Sequence, residues 1–461
     1  MKKQFTLLLM GILVPVCIYS QDISGAWNGK LSLPTGSLTI CFNLQKTEQG
    51  YTSTCDSPDQ GVKGIPTEST LFKDSVLTIQ IPNIHASYKG KLGADNKIYG
   101  NFTQGIPLKL DLEKGESAKM NRPQEPQPPF PYKVEDITVE NPQADIILAG
   151  TLTLPEQGSK FPAVVLVTGS GPQNRDEEIM GHKPFLVIAD YLTRNGIAVL
   201  RCDDRGIGKS KGVYASATNE DFASDAEAAF QYLKSRKEIN SKQIGIIGHS
   251  AGGTIAFMLA ARNKEVAFIV SLAGATIQGD SLILKQSEMI SKSSGMPDAA
   301  WELTKPVLRT RYALLTQDKS TEEIRKELYA NVAQTLSPGQ LQDPNVMKQA
   351  EAQMNSMLSP WYLHFMRYDP TSDLKKTKCP VLALNGEKDL QVDADMNLGA
   401  VEQWVKSNGN KQVTTKEYPG LNHLFQACKT CTISEYGQLE ETISPEVLKD
   451  MSDWILKLKK K

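Results

Sequence analysis

Apolar residues follow two different rhythms along this chain, and the change comes at a run of prolines near residue 130. Ahead of it they form short runs, such as Leu38-Thr39-Ile40-Cys41-Phe42-Asn43-Leu44, Val76-Leu77-Thr78-Ile79-Gln80-Ile81 and Ile98-Tyr99-Gly100-Asn101-Phe102, divided by glycine turns. Alternating runs bounded by turn residues are the mark of half-buried strands, so this segment predicts a small antiparallel barrel or sandwich. Trp27-Asn28-Gly29-Lys30-Leu31 and Tyr88-Lys89-Gly90-Lys91-Leu92 echo each other. The echo is not sustained, and it reads as shared hairpin chemistry rather than a repeat array.

Behind the prolines the apolar runs become continuous: Pro162-Ala163-Val164-Val165-Leu166-Val167, Ile197-Ala198-Val199-Leu200, Ile244-Gly245-Ile246-Ile247, Val266-Ala267-Phe268-Ile269-Val270-Ser271-Leu272 and Cys379-Pro380-Val381-Leu382-Ala383-Leu384-Asn385-Gly386. Stretches of helical period separate them, at 183–195, at 221–236 and from Thr254 onward. Strands covered on both faces need unbroken apolar sequence, and their alternation with helices predicts a doubly wound, mostly parallel α/β sheet. The alternation stops between about 279 and 374, where the sequence is helical and carries Met289, Met296, Met347, Met354, Met357 and Met366. An insertion between two such strands predicts a helical cap. Methionine suits an adaptable apolar wall, although most of these residues are expected simply to pack helix against helix.

Arg122-Pro123-Gln124-Glu125-Pro126-Gln127-Pro128-Pro129-Phe130-Pro131 reads as an extended, semi-rigid connector. A chain of 461 residues exceeds what one core usually holds. The expected organisation is a leader over 1–20, a β-rich domain over 21–120, the connector over 121–131 and an α/β domain over 132–461.

Chemistry enters at Gly248-His249-Ser250-Ala251-Gly252, between an apolar strand and a helix-like run. A strand that reverses into a helix in one sharp turn needs glycines beside the serine, because a Cβ there collides with neighbouring backbone. The serine hydroxyl is left exposed at the sheet's carboxyl edge. An acid and a base follow in the order that such an elbow requires. Asp389 closes the strand ending at Gly386, and His423 stands on a loop after Pro419-Gly420. Imidazole accepts the serine proton as the new bond forms, and the carboxylate holds the ring in the productive tautomer. Asp393 and Asp395 rival Asp389, but Asp393-Ala394-Asp395 reads as a helix start, where carboxylates complement the dipole. Amides aimed at an oxyanion are expected from Ala251 and from Ser170, with Gly171 as neighbour, in the loop Thr168-Gly169-Ser170-Gly171-Pro172.

From about Tyr132 onward the chain resembles bacterial α/β-hydrolases of the secreted carboxylesterase type, and more distantly serine aminopeptidases and prolyl oligopeptidases. The residues that carry the resemblance are Val167-Thr168-Gly169-Ser170-Gly171-Pro172-Gln173-Asn174-Arg175-Asp176-Glu177, Asp203-Asp204-Arg205-Gly206-Ile207-Gly208-Lys209-Ser210, the elbow, Leu382-Ala383-Leu384-Asn385-Gly386-Glu387-Lys388-Asp389 and Asn422-His423. The resemblance implies an α/β-hydrolase fold with the cap on the active-site side, a triad of Ser250, Asp389 and His423, and no cofactor or metal. It favours ester over peptide as substrate, since the triad serves both. A peptidase would need an acid for the substrate's α-amine, from Asp176, Glu177 or the cap. Asp204 and Arg205 read as buttressing, whereas Arg175, Asp176 and Glu177 are open to facing the substrate. Trp361 and Phe365, in the aromatic exit of the cap, are the candidates for acyl-pocket lining, with Gly171 and Arg175 on the other wall.

Met1-Lys2-Lys3, an apolar stretch over 5–18 and Ser20 before Gln21 read as a cleaved secretory leader, shorter than the roughly 20 apolar residues of a membrane span. Cys17 follows Val16, where a lipoprotein would carry a small residue. The expected location is periplasmic or extracellular. A net charge of −1 gives no footprint for nucleic acid. The expected partner is a small or polymer-borne ester, with the β domain a candidate binder of the polymer. Of seven cysteines, Cys41 with Cys55 and Cys428 with Cys431 are the candidate disulfides, while Cys202 and Cys379 read as buried hydrophobes.

Overall fold

The computed structural model describes residues 22–33, 36–116 and 121–458, so the expected leader lies outside the described residues. The chain divides into two compact units. The first is built from 22–31, 39–56 and 63–116, and the second holds 32–33, 36–38, 57–62 and everything from 121 onward.

The alternating runs of the first unit form an antiparallel sheet that closes on itself. Strand Leu112–Lys114 pairs both with Gly25–Leu33 and with Lys97–Gln104, joining the two ends. Closure leaves few unpaired edges, and the inward positions Trp27, Phe42, Leu77, Ile79, Tyr88, Ile98 and Phe102 fill the interior. Each polar tip among them is satisfied: the Trp27 indole donates to the Ile23 carbonyl at 2.7 Å, and the Tyr88 hydroxyl lies 3.1 Å from the Leu110 carbonyl. The Cys41–Cys55 bridge is not formed. Register sets Cys41 opposite Asp56 and Phe42 opposite Cys55, one residue out of step, and alternation sends the two thiols to opposite faces.

The second unit is an eight-stranded sheet in the order Tyr132–Asn141, Ile146–Pro155, Ala198–Cys202, Phe161–Val167, Ile239–His249, Phe268–Leu272, Val381–Gly386 and Val413–Tyr418. From Ala198–Cys202 onward all neighbours are parallel. Most of the expected strands and helices are present with ends shifted by a residue or two, but the strand expected at Ile244–Ile247 starts at Ile239 and the helix expected from Thr254 starts at Ala251. Along Phe161–Val167 the side chains of Ala163, Val165 and Val167 enter one core and those of Val164 and Leu166 the other. Helices Asn219–Ser235, Ala251–Arg262 and Ala394–Ser407 cover the first face, and Pro184–Arg194 and Pro445–Leu458 the second. Cys202 and Cys379 pack against the first core, where burial pushes both thiols up to about 12.

Between Leu272 and Val381 the chain is helical, with a core of its own around Leu282, Tyr312, Leu315, Leu328, Met354 and Met366. Met354 and Met366 are buried in it, as helix packing predicts. The proline-rich stretch belongs to the second unit and is not a free spacer. Arg122 donates to the carbonyls of Gly181, Gly437 and Leu439, and Gln124 bonds both Thr442 and Ile443, because the polar side chains between the prolines meet unpaired backbone. Among the described residues, no helix is long and apolar enough to cross a membrane.

Candidate active site

Strand Ile239–His249 runs directly into Ser250, and helix Ala251–Arg262 starts at the next residue. Ser250 has φ 53° and ψ −120°, a conformation that costs on the order of 1–3 kcal/mol and persists only when its surroundings impose it. The surroundings here are backbone at very short range. A Cβ on Gly248 would stand 2.0 Å from the Gly252 oxygen, and one on Gly252 would stand 2.2 Å from the Val167 oxygen. Close approach, rather than freedom of φ, therefore demands glycine at both positions. The Ser250 amide donates to Leu272 at 2.8 Å, and its carbonyl accepts from Gly253 and Ala275.

Because the sheet is parallel here, the residues that follow its strands share one edge. Asp389 follows Val381–Gly386 and His423 follows Val413–Tyr418, two and three strands along the sheet from the one that delivers Ser250. His423 Nδ1 and Asp389 Oδ2 are 2.7 Å apart, and both residues are buried. The other Asp389 oxygen accepts from the amides of Gln391 and Val392 at 2.7 and 2.9 Å. With its lone pairs engaged, the carboxylate fixes the ring's orientation and stabilises a proton on it. Asp393 is instead the N-cap of helix Ala394–Ser407, accepting from Met396, and Asp395 lies in its first turn. The His423 loop is held by Asn422, whose side-chain oxygen accepts from Leu424 and Gln426, both at 3.0 Å.

The loop after Phe161–Val167 lies against the elbow: a Cβ on Gly169 would meet that of Ser250 at 3.2 Å. The Gly169 amide is already bonded to Glu177 Oε1 at 2.7 Å. Ala251, as the first residue of its helix, has no carbonyl four residues back for its own amide. Ser170, Gly171 and Ala251 line one narrow cleft, of about 50 Å³, together with Asp204, Tyr214, Phe222, Ile255 and Trp361. Trp361 is stacked on Phe365, with centroids 5.3 Å apart.

Two expected pocket residues are placed elsewhere. Arg175 grips Asp203 through Nε at 3.0 Å and Nη2 at 2.8 Å and also reaches Thr151, so its charge is spent on the loop rather than aimed into the cleft. Phe365 is buried behind Trp361 in the cap core. The acids considered for an α-amine are also engaged, Asp176 with the buried Arg201 and Glu177 with His249. Arg205 binds Asp221 and Asp225 and so ties its loop to helix Asn219–Ser235. Among the described residues, no cluster of His, Cys, Asp or Glu is arranged to hold a metal ion.

Other site residues were not legible from spacing. Asp204 lines the cleft, accepting from Thr168 Oγ1 at 2.8 Å and the Gln173 amide at 2.9 Å. Burial, aided by Glu177 and Asp225, pushes its carboxyl up to about 7 against those hydrogen bonds. Tyr214 and Phe222 complete its wall, and only the fold of the Asp-Arg-Gly loop brings them there. His249 lies behind the elbow, its ring 4.8 Å from that of His423.

Residues 183–426, just over half of the chain and spanning Ser250, Asp389 and His423, match the sequence profile of the family described as serine aminopeptidase, S33. The chain belongs to the serine aminopeptidase S33 family. Within reach of this S33 chain is the esterase EstD of Thermotoga maritima, 24% identical over 331 residues that cover 71% of this chain and 69% of the other. An uncharacterized 31.7 kDa protein of Escherichia coli is 24% identical over 246 residues, covering 52% of this chain and 77% of its own. Among solved structures, Est1E of Butyrivibrio proteoclasticus with ferulic acid bound is 17% identical with a TM-score of 0.43, covering 70% of this chain and all of that one. The S33 protein is a serine hydrolase with an α/β-hydrolase catalytic unit.

Proposed function

We propose that the protein is a secreted carboxylesterase that works through an acyl-enzyme on Ser250. The observation that carries the reading is the buried 2.7 Å contact of His423 with Asp389, at the edge where Ser250 is held in its strained turn. In the first step Ser250 Oγ attacks the ester carbonyl while His423 takes its proton. The oxyanion forms facing the amides of Ala251 and Ser170, and its collapse expels the alcohol, which receives the proton from His423. Water then repeats the sequence on the acyl-serine and releases the acid. Ester rather than peptide is favoured by the esterase name of the Thermotoga relative and by the engagement of Asp176 and Glu177 with Arg201 and His249. Secretion rests on the leader pattern of residues 1–20 and on Cys428 and Cys431, whose Cα atoms are 5.0 Å apart in a geometry that fits a disulfide of an oxidising compartment.

The family's descriptive name favours a second reading, an aminopeptidase, in which Asp204 is the acid lining the cleft that would meet the α-amine. Turnover of p-nitrophenyl acyl esters against aminoacyl-p-nitroanilides decides between the two. Ester turnover should dominate, and Ser250→Ala and His423→Ala should each reduce kcat at least about 100-fold, since the groups act as a unit. An organophosphonate should label Ser250 alone. Preferential anilide cleavage would overturn the ester reading, and undiminished activity in Ser250→Ala would overturn the nucleophile.

A further inference from the structure

His249, the residue before the nucleophile, and Glu177 have no part in the steps just described, yet they are among the most deeply buried ionisable groups of the second unit. Their hydrogen bonds reach both sides of the reaction centre. His249 Nδ1 lies 3.0 Å from Glu177 Oε1, and that same oxygen accepts the Gly169 amide at 2.7 Å. His249 Nε2 lies 3.1 Å from the backbone carbonyl of His423. Glu177 thus holds the oxyanion loop and His249 holds the loop of the base, although the two partners are 72 positions apart in the chain.

Proton counting narrows the pair to two forms. A carbonyl can only accept, so Nε2 of His249 carries a hydrogen. A second hydrogen lies between Nδ1 and Glu177 Oε1, which also accepts from Gly169. On Oε1 it makes a neutral pair, on Nδ1 an imidazolium beside a carboxylate, and the same bonds are made in both. Burial opposes the cation, but the charge and hydrogen bond of Glu177 outweigh it, and the imidazole is raised from its ordinary value.

Neither loop depends on this pair for its own shape. Asn422 closes the His423 turn, and Asp204 ties Thr168 to Gln173 across the oxyanion loop. Beside the bond of Gln426 to His182, the pair is what links the two loops to each other close to Ser250. We propose that Glu177 and His249 form a buried ion pair that acts as a positioning clamp, holding the oxyanion loop and the His423 loop in register on either side of Ser250. The clamp presupposes the acyl-enzyme reading, and its residues are positioning residues, since they reach the substrate only through Gly169 and His423.

Glu177→Gln is the decisive variant. Its amide oxygen can still accept from Gly169, but without the negative charge His249 becomes neutral and has one hydrogen for two acceptors, so one loop is released. Misplacement on the order of 1 Å costs up to about 100-fold in rate, so kcat on p-nitrophenyl acetate should fall about 10- to 100-fold with KM within about twofold. The double variant Glu177→Gln/His249→Asn should lose no more than the worse single one, as parts of one device do. Nitrogen NMR of the histidine-labelled wild-type protein, which has five histidines, should show a resonance with both ring nitrogens protonated at neutral pH that His249→Asn removes. A kcat within twofold of wild type in Glu177→Gln, additive losses in the double variant, or a His249 ring with a single hydrogen would each overturn the clamp. The NMR experiment needs no substrate and no variant fold beyond the assignment, whereas absence of phosphonate labelling at Ser250 would instead bring down the esterase reading.

Discussion

Asp204 is the clearest case of a side chain whose chemistry depends on where the fold puts it. It belongs to an Asp-Asp-Arg-Gly run that reads as a buttress, and its bonds to Thr168 and Gln173 do support the neighbouring loop. It also lines the cleft without an ion-pair partner among the described residues, and burial raises its carboxyl from 3.8 to about 7. Between about pH 4 and pH 7 the folded chain therefore keeps a proton that the unfolded chain gives up. Stability from this group declines as pH rises through that window and levels off above it. Asp204→Asn presents an amide in place of the protonated acid: its oxygen can accept from Gln173, and its NH2 can donate to the Thr168 hydroxyl. The melting temperature of this variant relative to wild type should rise between pH 4 and pH 8, by the equivalent of on the order of 4 kcal/mol. A gap that does not change with pH would show that this carboxyl does not titrate in the window.

At the scale of elements, the elbow shows how backbone contact dictates sequence. Gly252 lets helix Ala251–Arg262 lie directly on the carbonyls of Val167 and Thr168, which a Cβ would approach to 2.2 and 2.6 Å. Gly252→Ala must push the helix off the strand, an overpacking worth about 1–3 kcal/mol or more that displaces the Ala251 amide with it. Thermal melting should fall by several degrees and kcat by more than tenfold. Gly399 is the counterpart. It sits on the exposed face of helix Ala394–Ser407 with nothing within 4 Å of the added carbon. Gly399→Ala should stabilise by up to about 1 kcal/mol through helix propensity and leave turnover unchanged. Equal effects of the two substitutions would refute the steric account of the elbow.

On the scale of the whole molecule, the two units have separate cores, and the residues assigned to the chemistry all lie in the second. The proline-rich stretch is bonded to that second unit through Arg122 and Gln124, so where a truncation begins should matter. A fragment starting at Asn121 should fold and hydrolyse a small soluble ester within about twofold of the full chain. One starting at Tyr132 loses several side-chain hydrogen bonds to backbone, each worth roughly 1 kcal/mol, and should melt several degrees lower. If the first unit binds a polymer, activity on a polymer-borne ester should fall much further than on the soluble one in both fragments, because tethering raises local concentration. A large loss of kcat on the small ester in the folded Asn121 fragment would make the first unit part of the active site.

The sequence by itself determined the architecture of the α/β unit and the chain order of its candidate site residues. Continuous apolar runs can be satisfied only by strands covered on both faces, and glycines around Ser250 only by a turn in which backbones touch. Asp389 and His423 were legible because parallel strands deliver their following loops to one edge. Other features depend on contacts between residues far apart in the chain, and these only the tertiary structure decided. Cys41 and Cys55 flank a turn symmetrically enough to suggest a bridge, but a one-residue register offset sends them to opposite faces. Arg175 and Phe365 have the chemistry of a pocket wall, yet Asp203 claims the first and the cap core the second. Glu177 and His249 carry no spacing signal at all. Their pairing arises because the strand that ends at His249 packs beside the loop that holds Glu177, and burial then forces two ionisable groups to satisfy each other.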